Sequence, residues 1–364
     1  MAVLHTLPAA DGFHLAPEYA WHAGSWMVWP QRPDNWRLGA KPAQRVVCEI
    51  AREISRFEPL TVCVRADQYE NARNHLCPEV RVIEMTTNDA FVRDFGPTFI
   101  TNGYKVRGVD WTFNGYGGQL EGLYFPWDAD NLAAQKICEV AGIDSYQLRE
   151  FVFEGCAFSF DGEDTLAVTE ECLLSEGRNP TLSKEQIERT LENYLGIKKV
   201  IWLHRGLYMD EGKGHIDNLL CFIRPGELIL SWTDDPTHPR YDIVREAEEI
   251  LRRETDAQGR VLRIHKIPLP SPLIITKEEA DGVDWCKDTL PRMAGDRLVS
   301  SYLNFYMPNG ALIYPCFDDP CDKQAEQIFA QLFPRRKRIG IQARELFLGG
   351  GGIHSMVLSQ PSVN

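Results

Sequence analysis

An α/β fold follows from three features of the sequence. Segments with apolar residues at helical spacing lead into short apolar runs of strand length five times along the 364 residues. Further strand-like runs lie between these passages. No linker rich in Pro, Gly or Ser interrupts the chain, so one domain spanning residues 1–364 is expected. The passages share a pattern but no sequence self-similarity. Their spacing suits either an ordinary α/β sheet or a ring of small αβ modules. Neither G-x-G-x-x-G nor G-x-x-x-x-G-K-[ST] is present, which disfavours a doubly wound nucleotide fold.

The elements follow in order. Residues 20–37 hold Trp21, Trp26, Trp29 and Trp36 around two prolines, which reads as a short strand and an ordered loop. A helix is predicted over Pro42 to Phe57, where Val46, Val47, Ile50, Ala51 and Ile54 repeat at helical spacing. The strand LTVCV comes next, then a short helix over Asp67 to His75 and the strand RVIEM. Later passages run from helices at 130–141, 183–194, 240–254 and 323–333 into strands at 150–153, 199–203, 261–267 and 338–341. The helix at 183–194 opens on the capping pattern Ser183-x-x-Gln186. GVDWTF, TLAVTEECLL, NLLCFIRPGELILSW and ALIYPCF supply the intervening strands. Near the C-terminus, Glu345 to Leu348 reads as strand-like and leads into the glycine loop Gly349 to Gly352, with His354 and Ser355 close behind. The apolar Met356-Val357-Leu358 on the far side implies that this loop is held between strands rather than trailing free.

Composition narrows the function. The chain is 44% hydrophobic and 25% charged, with a net charge of −13. That balance disfavours nucleic acid, which needs a basic face, and mildly favours cationic small molecules. The ten cysteines form no C-x-x-C pair, and several lie inside apolar runs. They read as reduced, buried thiols, and a cytoplasmic location is expected. No apolar run reaches membrane-spanning length and the N-terminus has no signal-peptide pattern.

Three carboxylates fall close after predicted strands: Asp94 in NDAFVRDFGP, Glu154 in FVFEGC and Asp217 in GHIDN. Each alone is commonly a cap or a surface ion pair. Grouped around one pocket, they would bind a guanidinium through paired N–H to oxygen bonds. His215 sits two residues before Asp217, so extended backbone would put both side chains on one face. A histidine so placed is a ready acid or base. The glycine loop with His354 and Ser355 is the natural place for a nucleophile. Trp29 is a candidate pocket wall, since aromatic faces suit a cation, and Gly352 is a candidate for close backbone approach to a ligand.

Taken together, NDAFVRDFGP, WTFNGYGG, GLYFPWD, VTEECLL with RNP, GHIDN, SWTDD, SYLNFY and GGGGIHS resemble agmatine deiminase, of the guanidine-modifying pentein superfamily. The resemblance runs in order from Trp26 to Gln360. It implies five αβ modules about a pseudo-fivefold axis and the hydrolysis of agmatine to N-carbamoylputrescine and ammonia, a step toward putrescine and the polyamines. It also implies no metal or organic cofactor, and a homo-oligomer. Carried over, Asp94 and Asp217 would hold the guanidinium nitrogens, with Glu154 and His215 handling protons and orientation. The family's cysteine nucleophile falls at Ser355.

That departure matters because a thiol ionises readily beside a cation or imidazole, whereas a hydroxyl needs a strong base. Three accounts fit Ser355: an engineered exchange that retains substrate, a relative that binds without this chemistry, or a relative with altered chemistry. Other departures accompany it. Phe91 and Tyr116 stand where the family has tryptophan, and Cys156-Ala157-Phe158-Ser159 replaces Gly-Ser-Ile-His. Cys156 reads as a buried structural thiol rather than a relocated nucleophile. Two other functions are a non-catalytic guanidine binder and, on the strength of His215-x-Asp217 alone, a metal-dependent guanidine hydrolase.

Overall fold

In a computed structural model, which describes residues 1–363, each of the five helices returns the chain to a strand parallel to the one before it. The helix Lys41–Ile54 joins His22–Val28 to Leu60–Val64, and Ala133–Ala141 joins Val106–Thr112 to Ser145–Val152. Lys184–Leu195 joins Thr165–Thr169 to Lys199–Leu203, and Tyr241–Arg253 joins Glu227–Trp232 to Arg263–Pro268. Finally, Cys321–Leu332 joins Ala311–Cys316 to Lys337–Gln342. Each parallel pair needs such a crossover, and the helix covers the sheet with its apolar face. In Lys41–Ile54 that face is Val47, Ile50, Ala51 and Ile54, all buried. The five units lie in five separate sheets among the described residues, so the fold consists of αβ modules and not one continuous sheet.

The last strand, Val357–Pro361, returns to the N-terminal sheet. It pairs antiparallel with His22–Val28, in a register from Val357 opposite Met27 to Pro361 opposite His22. That pairing anchors the glycine loop a few residues from a central strand. Two expected strand segments are helical instead: Glu345 to Leu348 belongs to the helix Arg344–Leu348, and the second half of VTEECLL forms the turn Glu170–Leu173. Asp94, expected close after a strand, lies inside the turn Val92–Phe95. Short apolar runs do not separate strand from buried helix by periodicity, and Glu, Leu and Arg favour the helix. The glycine loop therefore passes from a helix through the turn Ile353–Met356 into a strand.

Candidate active site

A cavity is lined by Asp94, Tyr116, His215, Asp217, the Gly349–Gly351 backbone and Ser355. Phe91 also lines it. The glycine loop forms one wall because side chains would not fit there. Gly350 has φ +104°, in the region that favours glycine, and a Cβ on Gly351 would lie 2.6 Å from the Phe91 ring. At the mouth, Arg292 donates to the Glu211 carboxylate (2.7 Å) and to the Gly349 carbonyl (2.9 Å), tying three chain segments together.

Asp94 and Asp217 face the cavity from different modules, and their surroundings differ. Asp94 accepts a hydrogen bond from the Cys156 backbone N–H at 2.9 Å and from the Tyr116 hydroxyl at 3.0 Å. Burial nevertheless raises its pKa above the ordinary carboxylate value. One oxygen of Asp217 accepts from Asn304 Nδ2 at 2.8 Å and contacts His354 Nδ1 at 3.1 Å. Its other oxygen, Oδ1, is buried with no hydrogen-bond partner. Burial works against the charged form of Asp217, but His354 outweighs it and its pKa is lowered.

Glu154 is placed differently from the expectation. It is fully buried behind the cavity and does not line it. Arg178 Nε donates to both of its oxygens, at 2.8 and 2.9 Å. Burial opposes ionisation, yet Arg178 and His215 bring its pKa down to about 2. Glu154 is therefore already engaged by a cation, and its other contacts are His215 Nε2 at 3.4 Å and the Cys172 thiol at 3.7 Å. His215 is also held from the other side, where its backbone N–H donates to Asp210 at 2.7 Å. Burial alone would lower the His215 pKa, but Asp94, Glu154 and Asp210 push it up to about 9.

His215 and Asp217 both reach the cavity, although the segment between them is a turn and not extended backbone. Ser355 Oγ donates to Asp217 at 3.4 Å and accepts from Asn304 Nδ2 and from the Gly352 N–H, each at 3.4 Å. Trp29 is 1% exposed and packs into the core, away from the cavity lining. Trp29 lies one residue past the strand His22–Val28, and its ring joins the core cluster that also holds Trp26, Val28 and Trp36. Gly352 also lies outside the lining, because its backbone is pressed against Asn304.

Two groups in the site, Asn304 and Arg178, were not singled out from sequence, and His354 was named there only as part of the glycine loop. Asn304, within SYLNFY, uses its amide on Asp217 and its carbonyl oxygen on the His354 N–H at 2.9 Å. Arg178, within RNP, neutralises Glu154. His354 bridges Asp217 to Glu18, which Arg93 holds at 2.7 Å. The quoted motifs contain Asn304, Arg178 and His354, but spacing alone does not reveal which partners they reach. Cys156 contributes a thiol 3.9 Å from His354 Nδ1. In each of three donor sets among the described residues the ligand atoms lie within 4.8 Å of one another, close enough to share a cation: Asp94/Cys156/His215, Glu154/Cys172/His215 and Cys156/Asp217/His354.

Comparison with known proteins agrees with this geometry. The model of the Porphyromonas-type peptidyl-arginine deiminase family matches residues 14–361. The chain is 49% identical over 364 residues to the agmatine deiminase of Pseudomonas fluorescens, covering 100% of this chain and 99% of that one. It superposes on the solved agmatine deiminase of Enterococcus faecalis with a TM-score of 0.96, at 44% identity and with 99% of each chain covered. A C. jejuni agmatine deiminase, solved as a cysteine-to-serine variant with substrate bound, gives a TM-score of 0.82 at 25% identity, covering 96% of this chain and 97% of that one. With its five αβ modules and a match along nearly its whole length, the chain belongs to the Porphyromonas-type peptidyl-arginine deiminase family of the pentein superfamily.

Proposed function

We propose that this chain acts, as one catalytic domain, on the guanidinium group of agmatine, hydrolysing it to N-carbamoylputrescine and ammonia. The observation that carries this reading is the pair of buried carboxylates facing one cavity, with the Asp217 Oδ1 acceptor left open beside an imidazole raised to about 9. A planar cation with several N–H donors satisfies that acceptor and neutralises both carboxylates. Protonated His215 then serves as the acid for the departing nitrogen. Asp94 and Asp217 bind, His215 transfers protons, and Glu154 acts through His215 by holding its charge and orientation. The names of the relatives support the substrate. Assembly as a homo-oligomer and a cytoplasmic setting belong to the same proposal; no helix of the described residues is long and apolar enough to cross a membrane.

The test is ammonia release from agmatine by the unmodified chain and by Ser355→Cys, with agmatine binding followed by calorimetry. Ammonia from at least one chain is expected, and its absence from both overturns the hydrolase reading. A binding-only reading rests on Ser355, whose hydroxyl bonds Asp217, Asn304 and Gly352 but no imidazole that could take its proton. It predicts stoichiometric agmatine uptake with no ammonia from either chain.

A further inference from the structure

The geometry points to Cys156 as the nucleophile that serves this site in place of Ser355. The inference rests on the hydrolase reading above. It arises from a thiol that the sequence marks as structural and the fold places among the reacting groups.

Cys156 lies in the single turn Gly155–Ala157, directly after the strand that ends before Glu154. Its backbone is clamped on both sides. Its N–H donates to Asp94 at 2.9 Å, and its carbonyl accepts from the Ile216 N–H at 3.1 Å, between His215 and Asp217. The turn cannot move away, because Gly155 is packed so closely on the Arg93 carbonyl that a Cβ would lie 2.1 Å from it. The thiol consequently belongs to two of the donor sets, one with Asp94 and His215 and the other with Asp217 and His354. The Cys156 side chain is fully buried next to Asp94, His215 and Asp217 of the cavity lining, within reach of both carboxylates proposed to grip the guanidinium.

The chemistry separates the two candidate nucleophiles. Ser355 Oγ has only the Asp217 carboxylate, at 3.4 Å, to take its proton, and an alcohol ionises far less readily than a thiol; Cys156 Sγ lies 3.9 Å from the His354 ring, whose charge favours a thiolate. In the empty site, burial and then the Asp217 and Asp94 charges raise the thiol pKa well above its ordinary value. A bound guanidinium neutralises those carboxylates and favours the thiolate, so ionisation accompanies substrate binding. The Sγ proton passes to the Asp94 carboxylate of the same donor set, which burial holds above the ordinary carboxylate range, and the thiolate forms a C–S bond to the guanidinium carbon. Protonated His215 gives its proton to one nitrogen, the C–N bond breaks, and ammonia leaves a thiouronium on Sγ. Water, deprotonated by the now neutral His215, forms the C–O bond. The C–S bond then breaks, the thiolate is restored, and the remaining proton leaves with ammonia as ammonium.

The deciding experiment combines ammonia assays with peptide mass spectrometry of acid-quenched agmatine reactions and of protein labelled with chloroacetamidine, an amidine-bearing alkylating agent. The unmodified chain should release ammonia and carry both adducts on the peptide containing Cys156. Cys156→Ala and the near-isosteric Cys156→Ser should lose turnover by about 1,000-fold or more, while Cys48→Ser retains it. An adduct on another residue, or full turnover in a folded Cys156 variant, overturns the assignment. Ammonia from Ser355→Cys but not from the unmodified chain also overturns it, while leaving the hydrolase reading of the site standing. Ammonia from neither chain overturns both.

Discussion

Asp217 shows how unevenly a buried carboxylate can be used: one oxygen has three neighbours and the other has none. An open acceptor of that kind costs free energy in the empty site and returns it when a donor arrives. Asp217→Asn should weaken agmatine binding by at least about 30-fold, equivalent to ~2 kcal/mol for a desolvated charge pair. Calorimetry at fixed ionic strength reads this directly, and an unchanged affinity would remove Asp217 from the binding site. His215 makes a second prediction, on pH. Its folded pKa of about 9 lies above the ordinary value of 6.5, so the folded state holds its proton more tightly than the unfolded one. The resulting stabilisation is complete below about pH 6.5 and is lost as pH rises through about 9. Unfolding midpoints of the unmodified chain should fall across that window, and His215→Gln should flatten this part of the profile. Parallel profiles for the two chains would show that His215 does not carry the linkage.

At the scale of elements, the five long helices were legible because each repeats an apolar stripe over about two and a half turns or more. Lys184–Leu195 buries Ile187, Leu191 and Leu195, and its capping box forms as Ser183 and Gln186 imply: Ser183 Oγ accepts from the Gln186 N–H, and the Gln186 side chain accepts from the Ser183 N–H at 2.8 Å. Ser183→Ala should therefore cost about 1 kcal/mol of stability without changing agmatine affinity, since this helix end is remote from the cavity lining. Denaturant titration and calorimetry together check both halves of that statement, and a loss of affinity would contradict the second. The four-residue turns Val92–Phe95, Glu170–Leu173 and Ile353–Met356 were not legible. Four residues give one turn, too little for a period to emerge, and these turns are selected by what packs on them. Asp94 and Ser355 both ride on such turns.

For the whole molecule, the decisive contact joins distant parts of the chain. The strand Val357–Pro361 completes the sheet begun by His22–Val28, and Met356 and Val357 are fully buried at the junction. Truncation after Met356 should expose the edge of a central strand and loosen the glycine loop that precedes it. We expect an aggregation-prone chain that no longer binds agmatine, checked by size-exclusion chromatography and near-ultraviolet circular dichroism. A soluble truncated chain with an unchanged unfolding midpoint would show that this strand is dispensable.

By itself the sequence determined the α/β class, the five helix-to-strand passages, the carboxylates at 94, 154 and 217, and the serine at 355. Those follow from local periodicity and from motifs that need no knowledge of what lies opposite. Only the tertiary structure decided which of these residues meet. It sent Glu154 to Arg178 and Trp29 into the core, and it set the thiol of Cys156 beside His354. Hydrogen bonds and ion pairs act over a few ångströms between residues that here lie from 24 to 198 positions apart in the chain, so the partner of a buried charge is settled by packing and not by its neighbours in sequence.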